Sequence, residues 1–470
     1  MQPLGDRGKS LVDQVFDAAR KGVALEIASE RPNLSLEGNT VPASIIHDAL
    51  AGEVIPLHRR GLTLRGLFIA GDVDLSYLQW HGQLSLLNCR IDGEIVLDHS
   101  KPMGEVRFDG SCTKRVSARS AAIDGNFFMR DGFCSKEGIY AIGLRVSNSF
   151  SLRRSQICGP EDMSTRMAIE IFRGNFGDVF FQNSDIRGGV YAAGITVERN
   201  FRIQGSKIRS RSAMGWRHTG VEFKGAITLA GSEVKGSIYL STESTKSPNL
   251  VDGPISLSSA SCRQLFVHEE LLDRSTIDLD GLTYKRLRGV NVESLLKHLN
   301  SQENIQRQAY VILSEYARSV GNPAASRNIM FDLERRTTSK LPIWSRQRMT
   351  RAIYGASVGY GYRVYLSVPW LGATIVLAAV VIHSGKRFMF PKNEALNGRF
   401  VDNRPDWHES FTVTLDNFLP FASMGVRDSW AVHITTLEQW PYLALFLMLK
   451  FFAWGLAALA LVSFTSSARK

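Results

Sequence analysis

The chain has 470 residues, of which 44% are hydrophobic and 21% charged, a balance that excludes both a disordered polymer and a protein made wholly of membrane helices. A formal net charge of +11 points to an anionic partner such as lipid headgroups or nucleic acid. The five cysteines, Cys89, Cys112, Cys134, Cys158 and Cys262, are scattered without a CxxC pair, which argues against a disulfide framework or a structural zinc site and suits a reducing compartment.

The opening "MQPLGDRGKSLVDQ" lacks the apolar core of a signal peptide, so the bulk of the chain is expected on the cytoplasmic side. "SLVDQVFDAARKG" (10–22) carries apolar residues at helical spacing, with Ser10 placed to cap its start and Gly22 to stop it. "VPASIIHDALAGE" (41–53) reads as a second short helix. Residues 1–54 are therefore expected to form a helical cap over the first open strand edge of the β-rich region 55–289.

From 55 to 289 the chain keeps an eleven-residue interval. "IAGDVDL" (69–75), "IDGEIVL" (91–97), "IDGNFFM" (123–129), "FKGAITL" (223–229), "VKGSIYL" (234–240) and "VDGPISL" (251–257) share the form apolar-x-Gly-x-apolar-x-apolar. The alternating pairs, such as Leu62/Leu64, Val73/Leu75, Leu84/Leu86 and Ile95/Leu97, have the period of two that marks a strand with one buried face. Gly71, Gly93, Gly125, Asn148 and Gly236 precede such pairs and suit corners of positive φ. Strands too short to bury their own faces stack into a β-solenoid, here two steps to a coil of about 22 residues, with about 4.8 Å per coil. Wider intervals near 153–170 and 204–220 predict loops thrown out of the stack.

After 289 the interval stops. "NIQRQAYVILSEYARSV" (304–320), the breaker "GNP" and "AASRNIMFDLERRTTS" predict a helical hairpin, and residues 290–363 end in a juxtamembrane stretch with seven basic and no acidic residues from Arg335 to Arg363. Residues 364–470 form the expected membrane domain. Its spans are 364–383, twenty residues without a charge, and 440–464, flanked by Trp440 and Tyr442. The charge bias places both termini in the cytoplasm and the loop 384–439 outside.

"RGLTLRGLFIAGDVDLSY", "QAYVILSEYARSVGNPAASRNIMFDLERR", "YGASVGYGYR" and "LDNFLPFASMGVRDSW" together resemble bacterial membrane-anchored proteins of the pentapeptide-repeat type. The resemblance implies a right-handed β-helix, a helical hairpin, two C-terminal transmembrane helices and a bacterial inner-membrane location. It carries over no catalytic residue, and the strict A(D/N)LxX pentapeptide is replaced here by the glycine form.

No catalytic, cofactor-binding or metal-binding motif stands out, so a non-enzymatic protein without a cofactor is expected. "SVGYGYR" (357–363) copies the letters of a potassium filter, but it precedes both spans instead of lying between them. A re-entrant candidate is 410–426, with Asp416, Pro420 and Gly425; its alternative is an amphipathic helix on the outer surface. Lys450 sits mid-span, where an ammonium costs about 2.5–3.5 kcal/mol, and Asp416 is its proposed ion partner. Arg187, Arg199, Arg202, Lys207, Arg209, Arg211 and Arg217, against Glu198 alone, form a basic patch suited to an anionic polymer or lipid headgroups.

The expected function is a membrane-anchored scaffold presenting a cytoplasmic solenoid to a protein or polymer partner, with the lipid bilayer as its other contact. An oligomeric channel gated by the solenoid is the alternative, which requires a homo-oligomer. A membrane-associated enzyme is third, supported only by an oxidoreductase label that some look-alikes carry.

Overall fold

A computed structural model describes residues 10–160, 167–209, 216–218, 221–223, 225–241, 250–384, 389–391, 406–418, 425, 430–432 and 437–469. The chain divides into two compact units, Met1–Val320 and Gly321–Lys470, the boundary falling at the breaker inside the expected hairpin.

In the first unit, three parallel sheets of thirteen, nine and nine strands are visited in rotation as the chain advances. In the first sheet Leu62 pairs with Leu84, Leu84 with Val106, Val106 with Phe127 and Phe127 with Phe150, offsets of 22, 22, 21 and 23. Each residue's neighbour across the ladder is thus one circuit away in sequence, which is what a solenoid-like stack requires. The eleven-residue steps fall alternately on the first and third sheets: Leu62, Leu84 and Val106 line one, Val73, Ile95 and Val116 the other, all wholly buried. Rings in the first column interlock edge to face, Phe108 with Phe127 at 5.9 Å and Phe127 with Phe150 at 5.7 Å.

The strands between these steps escape the sequence reading because each offers only one inward side chain. The second sheet contributes Ile69, Ile91, Thr113, Ser135, Ile157, Ile186 and Ile208 in successive circuits, and a fourth side adds Trp80 and Ile123. A circuit therefore holds up to four short strands where two were expected. Part of each expected loop is likewise sheet: Gln156–Cys158 and Lys207–Arg209 pair in the second sheet, and Trp216–His218 forms a hairpin with Val221–Phe223. Residues 161–166, 210–215 and 219–220 of those loops lie outside the described residues.

The corner glycines need correction. Gly71 has the expected positive φ of 92°, but Gly93, Gly125, Asn148 and Gly236 do not. At Gly125 a Cβ would stand 2.8 Å from the Gly104 carbonyl carbon, so close approach between circuits excludes a side chain there. The left-handed corners lie elsewhere, in two columns that include Gly66, Asn88 and Gly110, and Tyr77, His99 and Ser120. At the first of them Ser111 and Ser155 are buried, and their hydroxyls donate to the Leu86 and Met129 carbonyls at 2.8 and 2.7 Å.

Cysteine spacing also misleads in a stack. Cys112 and Cys134, a circuit apart, are register partners in the second sheet with Cα atoms 4.5 Å apart, which brings their sulfurs into contact. Cys89 is buried, and burial pushes its thiol up to about 11.

Both ends of the stack are closed. Helix α1 (Leu11–Lys21) starts at a reciprocal capping box between Ser10 and Asp13 and ends at Gly22 in the left-handed region, as expected. Helix α2 (Ser44–Ala51) packs its Ile46, Ala49 and Leu50 inward. The segment between them runs along the first corner column, where Arg31 Nη1 donates to the Gly110 and Gly132 carbonyls, each at 3.2 Å. At the far end α3 (Glu269–Arg274) precedes the last strand of the third sheet, and α4 (Val292–Ser301) and α5 (Arg307–Ser319) follow the last strand of the first. The Ile277 amide of that third-sheet edge donates to His298 Nε2 at 3.3 Å, and the Leu279 amide donates to Gln306 Oε1 at 2.9 Å. Side chains of the helical segment thus replace a missing strand.

The second unit contains α6 (Pro323–Ser339), α7 (Arg346–Val358), α8 (Ser367–Ser384), α9 (Trp407–Phe418) and α10 (Trp440–Arg469). Val364–His383 and Leu437–Leu459 are long and apolar enough to cross a membrane. Met448 and Phe451 of α10 are 68% and 69% exposed, part of an apolar face that no element among the described residues covers.

Candidate functional sites

Outward side chains of the first sheet also stack in columns. Register pairing places Arg107, Phe128, Ser151, Phe180, Arg202, Tyr239, Phe266 and Arg288 in one of them. The Arg202 guanidinium lies 4.5 Å from the Tyr239 ring centroid and 5.7 Å from that of Phe180, and Tyr239 packs on Phe266 at 5.7 Å. No acid lies within ion-pair distance of Arg202 among the described residues, and its buried Nε has no hydrogen-bond partner there. A guanidinium held between rings keeps its remaining donors at the edge, directed outward, where they suit a carboxylate or phosphate.

The rest of the expected basic patch does not gather around Arg202. Arg187 and Arg209 belong to the second sheet and share Asp185, at 3.1 and 3.4 Å. Arg199 Nε donates to Asp178 Oδ2 at 2.6 Å. Lys207 is on the second sheet, paired in register with Asp185. Arg211 and the Arg217 side chain lie outside the described residues. Counting a linear window from 187 to 217 left out Asp185, two residues before Arg187 on the same strand, and the stack brings Asp178 alongside Arg199 and Asp185 alongside Arg209 from the preceding circuit. The same pairing recurs elsewhere: Arg130 reaches Asp109 at 3.2 Å, Arg153 reaches Asp131 at 3.1 Å and Arg115 donates three hydrogen bonds to Glu94.

A cleft of about 950 Å³ lies beside the end of the third sheet, lined by Asp278, Asp280, His298, Glu303 and Gln306. Its polar groups are engaged in closing the stack: Asp280 Oδ1 accepts from the Gln308 amide at 3.2 Å, while His298 donates from Nδ1 to the Leu272 carbonyl at 2.9 Å. Burial pushes His298 below the usual histidine range, consistent with a neutral ring that accepts at Nε2. Among the described residues no cluster of three or more His, Cys, Asp or Glu is arranged to hold a metal.

In the second unit, α9 begins beside the end of the first apolar helix, where Trp407 meets His383 edge to face at 5.5 Å. Val413 and Phe418 then pack among Ile375, Ala378, Val381 and Ile382 of α8 and Leu443, Phe446 and Ala453 of α10. At the last turn of α9, Lys450 Nζ donates to Asn417 Oδ1 at 3.1 Å, and Trp454 Nε1 donates to the Asn417 carbonyl at 3.3 Å. Lys450 also lies 5.2 Å from the Trp454 ring centroid, and Asp416 is buried on the same turn. The negative end of a helix dipole, an amide oxygen and an aromatic ring thus surround the ammonium. Asn417 was missed because charge arithmetic looks for an acid, although an amide next to one is legible in the sequence. Gly425 has a φ of 73°, and Pro420 lies outside the described residues.

No family model, curated protein or solved structure matches the chain.

Proposed function

We infer that the chain is a membrane-anchored binding protein whose solenoid presents the outer face of its first sheet to an anionic partner. Arg202, unpaired and held between Phe180 and Tyr239, is the observation that carries this reading. A sheet that meets Arg107, Arg130 and Arg153 with acids has left this one open, at a position pre-organised for an anion. The resemblance to pentapeptide-repeat proteins supports a right-handed winding and a bacterial inner membrane, with both termini cytoplasmic. A photocrosslinker replacing Tyr239 is expected to capture an acidic or phosphate-bearing partner in cells, and one replacing Lys101 is not. Equal capture at both positions would remove the reading.

A second reading, an oligomeric channel, is favoured by α9. A helix of twelve residues rises about 18 Å, roughly half the hydrocarbon thickness, and this one starts beside an apolar helix's end and finishes beside another's middle. Residues 410–418 of the re-entrant candidate then form a half-helix whose negative end faces mid-membrane, the geometry that favours a cation. An ion pair of Lys450 with Asp416, within or between subunits, belongs to this reading. Cation flux through liposomes containing the purified protein separates the two: the scaffold leaks no faster than protein-free liposomes, whereas the channel does.

A further inference from the structure

We propose that the last circuits of the first sheet contain a site for phosphoryl groups, in a groove of about 580 Å³ lined by Lys235, Arg263, Lys285 and Arg286. The proposal deepens the binding role above by naming the partner's chemistry, and it rests on that reading only for the choice of face.

Cys262 pairs with Tyr284 and Gln264 with Arg286, so Arg263 and Lys285 stand directly opposite each other on adjacent strands. Lys235 flanks them from the preceding strand, inside the register irregularity between Val234 and Ser237. Like charges directly opposed across a ladder destabilise it, and strands in a sheet are only about 4.8 Å apart. Opposed cations elsewhere in this stack, Arg130 with Arg153 and Arg187 with Arg209, have Asp109, Asp131 and Asp185 to meet them; the opposed pair here has no such acid. Lys235 is tied to Glu198 at 2.8 Å, but Arg263, Lys285 and Arg286 are exposed and have no acid within ion-pair distance among the described residues. Glu233 is the single acid lining the groove.

A tetrahedral phosphoryl group fits this arrangement better than a carboxylate. Its several acceptor oxygens can take donors from two adjacent strands at once, and its greater charge offsets three neighbouring cations. Arg288 continues the positive surface one strand position away, in the column of Arg202 and Phe266, so a polyanion lying along the sheet would meet cations at successive levels. A soluble phosphate polymer and a phospholipid headgroup present the same chemistry, and the experiment separates them.

The test uses the full chain in nanodiscs. In discs of phosphatidylcholine alone, inorganic polyphosphate is titrated against wild type, an Arg263→Gln/Lys285→Gln variant and a Lys101→Gln/Arg145→Gln variant that loses the same charge elsewhere. Thermal unfolding without ligand checks that all three fold. The wild type and the Lys101/Arg145 variant should bind alike, while the Arg263/Lys285 variant binds about tenfold more weakly, with a shallower salt dependence. In a second arm, discs containing phosphatidylglycerol replace the polymer. A rise in unfolding temperature that the Arg263/Lys285 variant alone loses identifies a headgroup as the source. No binding in either arm, or equal losses in both variants, overturns the site. Crosslinking at Tyr239 is an independent readout, so failure of the groove leaves the docking face standing and failure of the face leaves the groove.

Discussion

Gly125 and Gly231 separate two reasons for a glycine. A Cβ at Gly125 would meet the Gly104 carbonyl carbon at 2.8 Å and the Glu105 nitrogen at 2.9 Å, all of it backbone that cannot swing aside. At Gly231 nothing lies within 4 Å, but φ is 64°. Alanine at Gly231 should therefore cost only its backbone strain, about 1 kcal/mol. Alanine at Gly125 has to push two circuits apart and should cost about 3 kcal/mol or more. Chemical denaturation of the two variants checks the order; a smaller loss for Gly125→Ala would mean that the circuits do not approach as described. The sequence showed that glycines recur, and Gly71 fits the positive-φ explanation offered for them. It could not show the closeness of the neighbouring circuit at Gly125, because that neighbour is about 22 residues away in the chain.

At the scale of elements, the end of the stack depends on a neutral histidine. His298 accepts from the Ile277 amide and donates to the Leu272 carbonyl, and burial holds it below its ordinary 6.5, partly countered by Asp273. The native protein then binds fewer protons than the unfolded chain below that pH. Its stability should be full above about pH 6.5 and fall as the pH drops toward the folded value. A His298→Gln variant should show a flatter unfolding-temperature profile between pH 7 and about pH 5 than wild type; parallel profiles would contradict the assignment. In the membrane unit, Asn417→Leu strands the Lys450 ammonium, and Lys450→Leu removes the charge. The double variant should recover part of the Asn417→Leu loss, a coupling of about 1–2 kcal/mol by thermal unfolding in nanodiscs. Additive effects would show that the contact does not stabilise the unit. Helix α1 was legible down to its cap because Ser10, Asp13 and Gly22 act locally. α4 was not, because its role is to offer His298 to a strand edge that only the folded stack creates.

Over the whole molecule, charge is arranged by the stack and not by the linear sequence. The net charge of +11 predicted an anionic partner without saying where, and the window chosen for it included Arg187, which an acid of its own strand meets, and Arg199 and Arg209, which acids of the preceding circuit meet. What stays open is Arg202 and the cations of the last circuits, a selection that only coil-to-coil register reveals. The two apolar helices were plain from composition, since length and lack of charge need no tertiary context. The packing of α9 against them was not, because its buried side mixes Val413 and Phe418 with Ser410, Thr414, Asp416 and Asn417, and only the contacts with α8 and α10 reveal which side that is. The most direct single measurement is a cryo-EM reconstruction of the full chain in nanodiscs with short-chain polyphosphate bound. It should show α8 and the first half of α10 inside the disc, and ligand density against the strands bearing Arg263 and Lys285. Helices lying outside the disc, or ligand density away from the first sheet, would contradict the picture of a membrane-rooted solenoid that receives an anionic partner.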